Sequence, residues 1–190
     1  MIDFAEYAPS TSEVGRVTLR DPYPEDAVTM VMWRNETTIK AHQPLRSVSL
    51  DTIQQDLVRS QSNVLPDYNR ERFQWIIEKT DDHAPIGWVT LTIRSWEHEI
   101  GEIGYSIATA FQGRGYGTEG IRLILKKLFY EARLYRVEAK CSVENMPSSR
   151  LLERLGFHRE GIMREYFDIQ GRRVDHYLYS LLRHEYFSKL

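Results

Sequence analysis

The chain has 190 residues, of which 42% are hydrophobic and 27% charged, with a formal net charge of −2. That is the size and balance of one globular domain with a full core, and it offers no global field for nucleic acid or an anionic membrane. The lone cysteine, Cys141, excludes an intrachain disulfide and a cysteine-based zinc site, and without a signal-like N-terminus or an apolar run of about 18 residues the chain reads as cytoplasmic.

Residues 1–13 have no periodicity and read as a leader to a single domain spanning 1–190. Arg16 to Arg20 alternates like a strand, and Asp21-Pro22-Tyr23-Pro24 ends it. Ala27, Met30, Val31 and Trp33 then recur at helical spacing between Glu25 and Asn35. After Gln43-Pro44, either Ser49 or Asp51 can cap a second helix carrying Ile53, Leu57 and Val58. The polar stretch Ser62 to Arg72, with Pro66, is a loop. Three strands follow, Phe73 to Lys79, Ile86 to Ile93 and Ile100 to Ile107, with turns at Asp81-Asp82-His83 and Trp96-Glu97-His98. Turns this short imply an antiparallel meander.

A glycine-rich stretch, Gln112-Gly113-Arg114-Gly115-Tyr116-Gly117-Thr118, opens a helix to about Arg133, with Ile121, Ile124, Leu125, Leu128 and Ala132 on one face. Arg136 to Cys141 is a strand, and a helix from about Pro147 to Leu155 stops at Gly156. Two last strands, Phe157 to Ile169 and Val174 to Leu182, turn at Gln170-Gly171. The fold class is α+β with mixed strand pairing.

The glycine stretch carries the chemistry. The first N–H groups of a helix have no intrahelical partner, and glycines let a phosphate approach them. A P-loop is excluded, because no Lys-Ser/Thr follows the last glycine. Gly115-Tyr116-Gly117-Thr118-Glu119-Gly120 spells G-x-G-x-x-G, so a dinucleotide-binding oxidoreductase stands as an alternative. The run before it alternates, however, whereas that fingerprint follows a buried, wholly apolar parallel strand. His98-Glu99 lacks the second histidine of a zinc-protease helix, so no metal is expected.

Counted from one residue further upstream, Gln112-x-x-Gly115-x-Gly117 resembles the Q/R-x-x-G-x-G/A signature of the GNAT superfamily of N-acetyltransferases. A second block, Asn145-Met146-Pro147-Ser148-Ser149-Arg150-Leu151-Leu152-Glu153-Arg154-Leu155-Gly156-Phe157, is similar to one in the RimJ/RimL-like branch, which acetylates ribosomal-protein N-termini. The resemblance runs from about Val17 to Glu185 and is strongest from Glu102 onward. It implies a GNAT-type twisted sheet, mainly antiparallel, of about seven strands flanked by about four helices. It implies acetyl-CoA as co-substrate and no metal. Its pyrophosphate would lie on the loop N–H groups from Gly113 to Thr118, with Gln112 heading the motif, Arg114 adding charge and Thr118 a hydroxyl. Its pantetheine arm would pair with strand backbone near Tyr105, Ser106 and Ile107 and meet Asn145. The N–H of Ile107 would face the thioester oxygen, Glu102 would be the base through a water, and Ser148 the proton donor. Where many relatives have a tyrosine, seven residues after the asparagine, this chain has Leu152.

Rival readings stand beside these roles. Glu102 is also an ordinary polar residue of an alternating strand, Asn145 and Ser148 are ordinary helix-start residues, and Arg150, Glu153 and Arg154 form a solvated helix face. The histidines receive no role, and Tyr105 and Tyr166 are hydroxyls without a positional argument. The expected function is direct transfer of acetyl from acetyl-CoA to a primary amine, with a protein N-terminus as first choice and a small amine or aminoglycoside as alternatives. A non-catalytic acyl-CoA-binding protein is the other alternative. Expected partners are the amine acceptor and at most a second copy in a homodimer, with neither nucleic acid nor membrane.

Overall fold

The structure is a computed structural model and describes residues 15–45, 48–60 and 62–189. The expected leader, 1–13, lies outside the described residues. Seven strands, β1 (Val17–Arg20), β2 (Arg72–Lys79), β3 (Pro85–Ser95), β4 (Ile100–Ile107), β5 (Arg136–Ser142), β6 (His158–Ile169) and β7 (Arg172–Leu182), form one sheet in the order β1-β2-β3-β4-β5-β7-β6. Every neighbouring pair is antiparallel except β4 and β5, which are parallel. The strands follow the alternating runs of the sequence, and the meander β2-β3-β4 is formed as the short turns imply.

Among the described residues six α-helices accompany the sheet: α1 (Asp26–Asn35), α2 (Thr37–Lys40), α3 (Leu50–Arg59), α4 (Tyr116–Lys126), α5 (Met146–Arg154) and α6 (Arg183–Phe187). The expectation of about four is therefore short by α2 and α6, which are four and five residues long. Elements of barely one turn leave no 3.6-residue periodicity to read. Ser49 rather than Asp51 caps α3, its side chain accepting from the Thr52 N–H at 3.1 Å. Past Lys126 the chain continues the direction of α4 in a wider π turn, Lys127–Glu131, stapled by the Lys127–Glu131 ion pair at 2.8 Å.

Strand periodicity divides the core between the two faces of the sheet. On one face Phe73, Trp75, Leu91, Ile103, Val137 and Tyr179 pack under Ile121, Ile124 and Leu125 of α4 and Leu152 of α5. On the other, Ile76 and Trp88 pack against Ala27, Met30, Trp33 and Leu57 of α1 and α3, with the Trp33 and Trp88 rings stacked at 5.9 Å. Arg20 ties this second layer to the edge strand β1, donating to both carboxylate oxygens of the buried Asp26 at 2.7 and 2.8 Å and to Glu78.

One glycine holds β3 close to β4. A Cβ on Gly87 would fall 2.3 Å from the Ser106 carbonyl oxygen. Gly87→Ala should therefore push the strands apart and destabilise the fold by about 1–3 kcal/mol, an overpacking cost. A urea midpoint equal to wild type would contradict this account.

Candidate active site

The β4–β5 ladder runs from Ile100↔Arg136 to Ile103↔Ala139 and stops there, although β4 continues to Ile107 and β5 to Ser142. Beyond Ile103 the two parallel strands part, and a cleft of about 910 Å3 occupies the opening. Backbone groups alternate in direction along a strand. The Ala108 N–H donates to Ile86 at 2.9 Å, on the β3 side. Tyr105 and Ile107 consequently turn their backbone groups the other way, into the split. Side-chain amides meet two of these groups: Gln43 donates to the Tyr105 carbonyl at 3.1 Å and Gln112 to the Ile107 carbonyl at 2.8 Å.

The glycine loop forms one mouth of the cleft. Gly113 and Gly115 have φ of 71° and 87°, the left-handed region that favours glycine, and Gly115 is the N-cap of α4 with no side-chain cap. The loop N–H groups and the positive end of α4 thus face the opening. Gln112, Gly113, Gly115, Tyr116, Gly117 and Thr118 all line the cleft, as do Tyr105, Ile107 and Asn145. Arg114, expected to supply charge here, lies outside the lining and offers only its backbone carbonyl, to Arg16 Nη1 at 3.1 Å. The cations that line the cleft from this side are Arg150 and Arg154 of α5, which the helical pattern alone assigned to a solvated face.

Strand register sorts the remaining polar side chains by face, because aligned residues of neighbouring strands point to the same side. Tyr105 shares the parity of Ile103, Ala139 and Cys141, and so lies on the α4–α5 side. There its hydroxyl is 2.8 Å from Ser148 Oγ. The Ser148 N–H donates to Asn145 Oδ1 at 3.2 Å, the cap of α5. Burial drives the Tyr105 phenol well above its usual pKa, outweighing the opposite pull of the Ser148 hydrogen bond, so both hydroxyls keep their protons. Cys141, on the same face, is 5% exposed and 3.4 Å from Ser149 Oγ. Burial likewise raises its thiol pKa, which keeps it from being a ready thiolate.

Glu102 lies on the opposite, α1–α3 side. Its Oε2 receives Arg94 Nη2 at 2.5 Å, Arg94 Nε at 3.1 Å and Lys140 Nζ at 2.6 Å. Oε2 of this carboxylate, the expected base, is thus taken up by two cations. Burial works against the Lys140 ammonium, but its hydrogen bonds to Glu102 and Tyr166 outweigh that and raise its pKa. Ser142↔His176 pairing puts His176 on this same face, where it lines the cleft with Phe167, Arg34 and Arg72. Of these, the sequence assigned a function to Glu102 alone. No local pattern marks the others, because they meet only through strand register.

The GNAT acetyltransferase domain family matches residues 16–158. The chain belongs to the GNAT acetyltransferase family. It is 29% identical over 171 residues to the uncharacterized N-acetyltransferase p20 of Bacillus licheniformis, covering 90% of this chain and 95% of that one. Its fold superposes on the ribosomal-protein-S5-alanine acetyltransferase of Vibrio fischeri with a TM-score of 0.78 at 26% identity, covering 92% and 97% of the two chains. For a spermidine N-acetyltransferase of Vibrio cholerae crystallised with CoA and spermine the TM-score is 0.80 at 24% identity, with 90% and 98% covered.

The GNAT assignment removes the dinucleotide alternative, and the strand preceding the loop agrees. It is antiparallel to β3 on one side, and its parallel ladder with β5 ends before the loop. The last glycine of the apparent fingerprint, Gly120, serves helix–sheet packing: a Cβ there would meet Ile77 at 3.0 Å. Acetyl-CoA is the co-substrate of this family, and the residues of this GNAT enzyme fit it. Space for a ligand lies beside Gly113, where a Cβ would meet nothing within 4 Å. Uncapped N–H groups of α4 suit the pyrophosphate, Arg150 and Arg154 offer further positive charge, and the edge of β4 at Tyr105 and Ile107 suits the amides of the pantetheine arm.

Proposed function

We propose that this GNAT enzyme acetylates protein N-terminal amines, by direct transfer inside a ternary complex. The observation that carries the reading is the split between β4 and β5. It joins the glycine mouth and a hydroxyl pair on one face of the sheet to an open groove on the other. Acetyl-CoA supplies the activated acyl thioester; a C–N bond forms to the amine and the C–S bond breaks. The Ile107 N–H, turned into the split, is placed to donate to the thioester oxygen. Tyr105 and Ser148 form a relay that delivers a proton to the departing thiolate. The neutral, buried Cys141 supports transfer without a covalent enzyme intermediate.

The charge of the acceptor side favours a peptide over a polyamine. Arg34, Arg72 and Lys140 line it, and among the described lining residues the single carboxylate is Glu102, already paired with two cations. A polycation such as spermidine or an aminoglycoside would find no free acid there and would meet like charge. A chain with one α-amine followed by neutral or acidic residues meets no such penalty.

The test follows thiol release from acetyl-CoA with two acceptors, a peptide of free N-terminus with acidic residues following and spermidine. The peptide should lead in kcat/KM by at least about tenfold, equivalent to ~1.4 kcal/mol. A lead for spermidine would overturn the acceptor assignment. If acetyl-CoA raised the melting temperature and no amine released thiol, the non-catalytic acyl-CoA-binding alternative would hold instead.

A further inference from the structure

We infer that His176 of β7, rather than Glu102, takes the proton from the acceptor amine. This rests on the transferase reading and adds the residue that deprotonates its substrate. His176 is 2% exposed yet lines the cleft. Its Nδ1 lies 3.0 Å from the Val174 carbonyl oxygen. A carbonyl can only accept, so Nδ1 carries a hydrogen and donates it. In the neutral ring the lone pair is then on Nε2, the one nitrogen left to reach the cleft. The ring is held edge-on to Phe167 at 5.0 Å and 90°, with Tyr166 at 6.0 Å.

The position suits the role. Ser142 is aligned with His176, and continuing the β4–β5 alignment past Ile103↔Ala139 brings Ser142 level with Ser106. His176 therefore stands one strand from the split, on the acceptor face, level with Ser106 and next in height to Ile107, whose N–H faces the split. Tyr105 and Ser148 stand on the other face. The sheet separates a proton acceptor for the amine from a proton donor for the thiolate, which keeps the two from neutralising each other.

The charged groups around the ring agree. Burial lowers the imidazole pKa, the contact to Val174 and the charge of Asp175 on its own strand raise it, and Lys140 on β5 lowers it again. The direction is down, so the ring is neutral and able to accept at pH 7. From β6 the facing titratable group is Tyr166.

The protons balance. An ammonium acceptor loses one proton to Nε2, which passes it to solvent. The nitrogen then bonds to the acetyl carbon and the thiolate leaves. The proton shed by the new amide nitrogen makes good the one that Ser148 and Tyr105 give to sulfur. The net products are the amide, the thiol and one proton in solution.

The test is the pH profile of kcat/KM with the peptide acceptor. Wild type should show an acid limb of unit slope below the His176 pKa. His176→Asn keeps an N–H to offer Val174 but has no basic lone pair. It should retain the acetyl-CoA thermal shift, lose roughly 10²–10⁴-fold in rate, and lose the His176 limb, its rate rising with pH up to the pKa of the amine itself instead. Glu102→Gln should keep the limb, whatever its rate. A wild-type rate and limb in His176→Asn, or a limb absent from Glu102→Gln, would overturn the inference. Absence of any thiol release by wild type would instead count against the transferase reading beneath it.

Discussion

Tyr105→Phe and Ser148→Ala should each lower kcat by about 10²–10⁴-fold, the range of a lost general acid, with KM for acetyl-CoA little changed. The two hydroxyls are 2.8 Å apart and the serine is held by the Asn145 cap. In the proposed mechanism they act as one relay, so the double variant should be scarcely slower than the worse single one. Multiplicative losses would mean two independent roles. A kcat unchanged in Tyr105→Phe would mean that Ser148 alone reaches the sulfur. An acceptor-independent readout guards against misreading: both variants should keep the wild-type thermal shift with acetyl-CoA, because neither hydroxyl belongs to the glycine mouth.

Gly115→Val should sharply reduce that thermal shift. Position 115 has φ of 87°, and a Cβ there would lie 3.0 Å from Arg16 Nη2. A β-branched residue does not tolerate this backbone conformation, which costs about 1–2 kcal/mol even for ordinary L-residues. The chain must relax locally, and relaxation turns the first N–H groups of α4 away from the cleft. Affinity for coenzyme A should fall by at least about tenfold, which is ~1.4 kcal/mol, as measured by calorimetry. Gly161→Ala is the matching control. Gly161 has no positive φ and nothing within 4 Å of a Cβ, so its replacement should leave coenzyme affinity alone. Wild-type affinity in Gly115→Val would show that the loop is not the phosphate cradle.

The glycine mouth was legible because its parts are neighbours in the chain. Gln112, Gly115 and Gly117 span six residues, and the helix they open carries its own apolar stripe. The strands were legible for the same reason, since their inside and outside alternate residue by residue. Arg150 and Arg154 were not. On a helical wheel they are polar residues on a polar face, and only the packing of α5 beside the opening turns that face toward the cleft. Tyr105 and Ser148 are 43 residues apart, and β4 and α5 had to be placed before their hydroxyls could meet. Glu102 was legible as a carboxylate on a strand. That Arg94 and Lys140 already hold its Oε2 came from β3 and β5, brought in on either side.

Local spacing thus determined the family, the order of strands and helices and the glycine loop that opens α4. Those features depend on interactions within a few residues of chain, where backbone periodicity and glycine conformation dominate. The tertiary structure decided which side of the sheet each polar group occupies, that the Tyr105 and Ser148 hydroxyls meet, and that His176 lines the cleft on the face of Glu102. Those depend on the register between strands distant in sequence. A one-residue change in that register would exchange the two faces, and no window along the chain records it.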